Sequence, residues 1–169
     1  MTTLPDSAES RAADCDTKTR LHILIFGAAL RKDSLNVRLA SLAAPVVGSA
    51  AAIVAQRKME ELRCPPDDQE GDLASACPAG CQPVGRGLRG AIALLDECAG
   101  HTAAVPARLK NTIDWVSRFR PQPFNGKQAF LMSASPAMSG GNRGLWSLRV
   151  PLEHLGSRVH PSRFPPAHT

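Results

Sequence analysis

The run Leu21-His22-Ile23-Leu24-Ile25-Phe26 is continuously apolar apart from His22 and stops at Gly27. A strand buried on both faces reads this way, and such strands belong to parallel sheets covered by helices on each side. The next residues agree with that setting. A polar turn from Gly27 to Ser34 leads into Leu35, Leu39, Leu42 and Val46 at helical spacing, with Ser34 at the N-cap position. After Gly48, Ala51 to Val54 predicts a second short strand, which completes a βαβ unit. His22 falls at the solvated strand entry and carries no assigned role.

From Cys64 to Arg86 the chain is rich in Pro, Asp, Gly and Cys, which predicts a long loop. Leu88, Ile92 and Leu95 then mark one face of a helix ending near Glu97, and Pro106 to Phe119 predicts another with Leu109, Ile113 and Val116 inward. A turn from Pro121 to Gly126 precedes a strand, Gln128 to Met132, which delivers a small-residue loop from Ser133 to Asn142. Arg143 to Leu155 reads as a helix with Leu145, Leu148 and Leu152 inward and a bend or break at Pro151; Arg158 to His160 forms a short last strand. Strands alternating with helices, without hairpin signals, predict an α/β doubly wound sheet. Ligands bind such sheets beyond the carboxyl ends of the strands, where strand order reverses. The loops after Phe26 and after Met132 both qualify.

The 169 residues suit one domain, read as residues 21–169, preceded by a polar, charge-alternating segment, residues 1–20, read as a disordered tail without the features of a secretory signal. No apolar run approaches the roughly 20 residues of a membrane helix, so no membrane partner is expected. Five cysteines, Cys15, Cys64, Cys77, Cys81 and Cys98, are an odd set, which predicts free thiols in a reducing, cytoplasmic setting. Cys77-x3-Cys81 with Cys64 upstream lacks the usual metal-ligand spacing, and these are read as loop thiols with no metal ligand assigned. The net charge of +5 suits phosphate ligands. Its basic residues are scattered and lack an aromatic stacking surface, so no nucleic-acid partner is expected. There is no Tyr, which excludes chemistry that needs a phenol.

The loop from Gly27 to Asn36 places Arg31, Lys32, Ser34 and Asn36 at the start of a helix, where backbone N–H groups and the helix dipole favour an anion. Charged and polar donors there suit a phosphate, although the GxxxxGK[ST] spacing is missing. An ordinary capped helix with a solvated Arg-Lys pair explains the same pattern. The second loop, SASPAMSGGN, offers small residues and two adjacent glycines that let its backbone approach a flat ligand. A surface turn explains it equally well.

Taken in order, GAALRKDSLNVRLA, PARLKNTIDWVSR and PFNGKQAFLMSASPAMSGGNRGLWSLRVPLEHLGSRVHP resemble the NADPH-dependent FMN reductase family of flavodoxin-like quinone, chromate and azo-dye reductases, over roughly Leu21 to Pro161. The resemblance implies a five-stranded parallel sheet of strand order 2-1-3-4-5. It implies FMN and NADPH as cofactors, with two electrons passing from NADPH through FMN to a small acceptor such as a quinone, chromate, an azo compound or free flavin. The family's phosphate loop, G-S-L-R-x-x-S-x-N, maps onto Arg31, Ser34, Leu35 and Asn36. Ala29 replaces a serine there and removes one hydroxyl donor, worth about 0.5–1.5 kcal/mol. The loop beside the isoalloxazine maps onto Ser133, Ala134, Ser135, Gly140 and Gly141. Leu109, Lys110, Asn111 and Trp115 match a helix that lies at the subunit interface of family homodimers or homotetramers, and a buried Trp is equally well explained as core. The cofactor carries the redox chemistry, so no catalytic acid, base or nucleophile is assigned.

Two departures from the family pattern stand out. Family members carry an apolar third strand ending in S-P-E-Y-N, whereas here Glu97 to Val105 reads ECAGHTAAV. With Leu88 to Asp96 taken as helix, too little chain remains for both a strand and a flavin-facing turn, and a strand over Leu94 to Ala99 would bring Asp96 and Glu97 into the sheet. A short or irregular third strand is therefore expected, with His101 and Thr102 nearest the missing motif; His101 reads either as a proton donor or as a solvent-facing loop residue. The closing C-terminal helix of the family is also absent from the sequence pattern, which predicts exposed apolar surface unless a neighbouring subunit covers it. The alternative functional reading is a non-catalytic binding or scaffold protein of the same fold with weakened FMN affinity.

Overall fold

A computed structural model of the chain describes residues 20–27, 33–50, 52–61, 64–66, 79–90, 93–97, 104–136 and 141–162. The expected tail, except Arg20, lies outside them. The elements in chain order are β1 (His22–Gly27), α1 (Leu35–Ser49), β2 (Ile53–Lys58), α2 (Gln82–Gly90), β3 (Ala93–Glu97), α3 (Ala107–Ser117), β4 (Gln128–Met132), α4 (Asn142–His154) and β5 (Arg158–Val159). All the pairings are parallel and the strands lie in the order β2-β1-β3-β4-β5.

β1 owes its central place to its composition. Leu24, Ile25 and Phe26 are buried on alternating sides of the pleat, so both faces of the strand need cover. Leu24 and Phe26 join Ala129 and Leu131 of β4 and Val159 of β5 in one hydrophobic cluster. Val84 and Leu88 of α2, Ile113 and Val116 of α3, and Leu145, Leu148 and Leu152 of α4 pack into the same cluster. α1 packs on β1, β2 and β3 but adds no residue to it, and therefore covers the other face.

The cover that α1 provides differs from the reading of its leucines. The buried residues of α1 are Asn36 and Ala40, whereas Leu35, Leu42 and Val46 are 42%, 68% and 70% exposed. Small residues turned to the sheet let the helix lie close against it, and the leucine stripe runs along its exposed flank. Pro151 sits in the last turn of α4, where its carbonyl still accepts from the Leu155 N–H at 3.0 Å, so the helix continues through it.

The region between β2 and α3 requires three corrections. First, the expected helix from Leu88 to Glu97 is two elements, α2 ending at Gly90 and β3 beginning at Ala93. β3 pairs in unbroken register with β1 on one side (Leu94 with Leu24, Asp96 with Phe26) and with β4 on the other (Leu95 with Phe130, Glu97 with Met132). It has five residues, as β4 does, and is neither shortened nor irregular. Pairing on both edges satisfies its backbone groups, which local helical spacing at three leucine and isoleucine positions does not outweigh. Second, the expected loop from Cys64 to Arg86 gives way at Gln82 to α2. Pro83, Gly85, Gly87 and Gly90 give this helix a low intrinsic propensity, and Gly85 is needed because the Phe119 ring occupies the space of a Cβ. Third, Cys64 and Cys81 are joined in a disulfide with their Cα atoms 5.8 Å apart, in place of free thiols. That bond removes the thiol argument on which the cytoplasmic expectation rested. Among the described residues no helix is long and apolar enough to cross a membrane.

The disulfide also fixes one flank of α3. The carbonyl of Pro65, beside Cys64, accepts from Asn111 Nδ2 at 2.8 Å and from Trp115 Nε1 at 2.9 Å. Trp115 is only 5% exposed and carries the Arg118 guanidinium 4.7 Å over its ring, so within one subunit it is core and anchor together.

Candidate functional site

Register gathers the site at one edge of the sheet. Phe26 lies opposite Asp96, and Asp96 opposite Leu131, so β1, β3 and β4 deliver their following loops side by side. At about 4.8 Å between neighbouring strands, the three loops start within about 10 Å of one another. Strand order reverses between β1 and β3, and this is where an open α/β sheet accepts a ligand.

The β1 loop enters α1 through a defined cap. Ser34 is extended, at φ −63° and ψ 134°, and its Oγ accepts from the Asn36 N–H at 3.3 Å while its carbonyl accepts from the Arg38 N–H at 3.1 Å. The first turn of α1 holds no acidic side chain, which favours an anion at its amino end, and Asp33, immediately before the cap, is exposed. Leu35 is half exposed beside the cap.

Asn36 is the residue that joins the site. It is 2% exposed, and its Oδ1 accepts from the backbone N–H of Ala134 at 2.6 Å, a bond between positions 98 apart in the chain. The acceptor is therefore committed to the second loop, whereas a phosphate, which accepts, would be met by the Nδ2 donor of the same side chain. Asn36 acts as a brace that holds the loop after β1 against the loop after β4. Ser133, next to the braced amide, is fully buried, with Ala134 and Ser135 half-buried behind it.

The β4 loop re-enters helix at Gly141, the N-cap of α4, with φ 80° and ψ 5°. That left-handed conformation suits a residue without a Cβ. Its carbonyl accepts from the Leu145 N–H at 3.3 Å, which fixes the turn to the first turn of α4.

Of the sequence candidates, Ser34, Leu35, Asn36, Ser133, Ala134, Ser135 and Gly141 are thus brought to one edge. Arg31, His101, Thr102 and Gly140 lie outside the described residues. The β3 correction changes what the third loop has to do. With the strand ending at Glu97, the whole stretch from Cys98 to Val105 is available as connection, and the length argument against a flavin-facing turn no longer holds. The site suits FMN on its own chemistry: a capped helix terminus with no acidic side chain in its first turn for a phosphate, and a braced, small-residue backbone for a flat ring.

The profile of the family described as NADPH-dependent FMN reductase matches residues 21–168. The chain belongs to this family. Membership makes it an oxidoreductase with FMN and NAD(P)H as cofactors. A quinone reductase of Escherichia coli (strain K12) is 26% identical over 140 residues, covering 83% of this chain and 73% of the relative. An NAD(P)H-dependent FMN reductase of Pseudomonas aeruginosa is 40% identical over 78 residues, covering 46% of this chain and 41% of the relative. Among solved structures, a flavoenzyme NAD(P)H:(acceptor) oxidoreductase from Paracoccus denitrificans superposes with a TM-score of 0.71 at 22% identity, over 83% of this chain and 76% of that one. At that identity the likeness establishes the flavodoxin-like α/β fold alone.

Sequence reasoning missed two features of the reductase. It did not foresee that Asn36 braces the second loop, because no local pattern reveals a bond across 98 positions. It also ended β2 at Val54, whereas the strand runs on through Gln56, Arg57 and Lys58 to the same edge as the phosphate loop.

Proposed function

We propose that the reductase holds FMN across the loops that follow β1, β3 and β4 and passes two electrons from NADPH to a quinone. The net reaction is NADPH, a proton and a quinone giving NADP+ and a hydroquinone. Bound FMN supplies the two-electron chemistry, and the chain supplies position. Ser34 and the first turn of α1, with Arg31, receive the phosphate. Ser133, Ala134, Ser135, Gly140 and Gly141 lie along the ring, with His101 and Thr102 contributed by the loop after β3. The observation that carries this reading is the Asn36 to Ala134 bond, because it sets the two flavin-facing loops in fixed relation before any ligand arrives. A quinone is preferred as acceptor because the relative that covers 83% of this chain is named for that activity.

A homodimer or homotetramer is the proposed assembly. Trp146 and Val150 stand one turn apart on α4 and are 60% and 68% exposed, an apolar pair that a second subunit would cover.

The test is direct. Purified protein is titrated with FMN while flavin fluorescence is followed, and quinone-dependent NADPH oxidation is then measured together with hydroquinone formation. Saturable quenching with one hydroquinone per NADPH supports the reading. A colourless protein that neither quenches FMN nor oxidises NADPH overturns it.

A further inference from the structure

The Cys64–Cys81 disulfide lies outside the residues gathered for FMN, and its two halves stand in different surroundings. Cys81 has no exposed surface and belongs to the core cluster, whereas Cys64 is only partly buried, at the edge of that cluster. A cavity of about 550 Å³ opens beside it, lined by Glu60, Cys64, Pro65 and Arg108. Glu60 comes from the helical turn Met59–Glu61 that follows β2, and Arg108 from the first turn of α3. The volume is in the range of small-molecule sites.

Both charged side chains of the lining are exposed and, among the described residues, neither forms an ion pair with the other or elsewhere. A carboxylate and a guanidinium that line one cavity without closing on each other offer partners to a molecule carrying an ammonium and a carboxylate of its own. The third group on the wall belongs to a disulfide, and a disulfide sulfur is attacked by a thiolate. A small zwitterionic thiol, such as a short cysteinyl peptide, meets all three groups at once.

The surroundings also let the bond open and close again. The Pro65 carbonyl accepts from Asn111 Nδ2 at 2.8 Å and from Trp115 Nε1 at 2.9 Å, which keeps the neighbouring Cys64 beside α3 whether or not the disulfide is closed. Cys81 precedes α2, where its carbonyl accepts from the Gly85 N–H at 3.2 Å, and its side chain as a thiol still packs in the core as a small apolar group. None of these contacts runs through the S–S bond. The two sulfurs therefore remain neighbours after opening, and closure is an intramolecular step.

We propose that Cys64 is a site of reversible thiol–disulfide exchange, at which a small zwitterionic thiol is taken up from this cavity as a mixed disulfide. The ligand thiolate attacks Cys64 Sγ; the new S–S bond forms as the Cys64–Cys81 bond breaks, and Cys81 leaves with the electron pair and takes a proton from water to become a buried thiol. In the reverse step the Cys81 thiolate attacks Cys64 Sγ and expels the ligand thiolate. One thiol and one disulfide give one thiol and one disulfide, so no further oxidant or reductant enters. The site is independent of the flavin reading.

The test uses the air-oxidised full chain, with no FMN or NADPH added, and four thiols: glutathione, with an ammonium and carboxylates; 3-mercaptopropionate, with a carboxylate only; cysteamine, with an ammonium only; and neutral 2-mercaptoethanol. Initial exchange rates are followed by intact mass and normalised for thiolate fraction and thiol basicity, and digests locate the adduct. Glutathione is expected to react at least about 3-fold faster than 2-mercaptoethanol at low salt, with the adduct on Cys64 and Cys81 released as a thiol that alkylates only after denaturation. Arg108→Gln and Glu60→Gln, both at exposed positions, should each slow glutathione by about 3-fold and leave 2-mercaptoethanol unchanged. Of the singly charged thiols, 3-mercaptopropionate should respond to Arg108→Gln alone and cysteamine to Glu60→Gln alone. Cys64 and Cys81 found as free thiols after oxidation, an adduct on Cys81, or no adduct with glutathione overturns the proposal. Equal normalised rates for glutathione and 2-mercaptoethanol, or variants that exchange with glutathione as fast as the wild type, overturn it as well.

Discussion

Helices α1 and α4 are of similar length and each contains a proline, yet they bury opposite kinds of residue. α4 turns Leu145, Leu148 and Leu152 into the core, all three fully buried, whereas α1 turns in Asn36 and Ala40 and leaves Leu42 and Val46 largely exposed. The difference divides the labour between the two faces of the sheet. The face under α2, α3 and α4 carries the hydrophobic stability. The face under α1 gives up part of its packing to place a buried amide where it braces the ligand loops. A helix whose inward face is polar and small reads as part of a site, and one lined with leucines reads as support.

Stability measurements break or sharpen that division. Leu148→Ala should cost about 2–5 kcal/mol in urea unfolding, because it empties a fully buried position in the core cluster. Leu42→Ala, at a position 68% exposed, should change stability by less than about 0.5 kcal/mol. A large loss at Leu42 would mean that its face is covered in solution, and its dependence on protein concentration would identify a second subunit as the cover.

Smaller effects probe the braced edge. Asn36→Ala should cost about 1–3 kcal/mol, since the Ala134 N–H loses its acceptor in a partly buried position, read by the same unfolding curves. Gly141→Ala should cost about 1–2 kcal/mol because φ is 80° there, and it should weaken FMN binding with little change in the unfolding m-value. Ser34→Ala, which removes the α1 cap, should cost about 1 kcal/mol, the smallest of these three effects at the braced edge.

Much of the fold is legible in the sequence, and the misses share a cause. β1, α3, β4 and α4 are readable because their apolar residues keep one period and their ends carry Pro, Gly or Ser. β3 is not, because Leu88, Ile92 and Leu95 imitate a helical face while the partners that make Ala93–Glu97 a strand lie some 35 residues later and 70 earlier, a separation no local window spans. α2 is hidden by its own glycines, of which Gly85 is explained only by the Phe119 ring. β2 looks shorter than it is because it is an edge strand: Ala55, Gln56 and Lys58 are exposed, and an apolar run stops before them. The phosphate loop and the small-residue loop were recognisable by composition and by resemblance, but their relation to each other was not, since it depends on one side-chain acceptor meeting one distant amide.

The most direct test of the account is the affinity for FMN of wild-type protein and of Asn36→Ala, measured by calorimetry on folded, ligand-free samples. The account predicts one FMN per chain for the wild type and binding weaker by about 10-fold in the variant, corresponding to about 1.4 kcal/mol for a lost brace between the loops. A variant that binds FMN as tightly as the wild type, or a wild type that binds none, would contradict it.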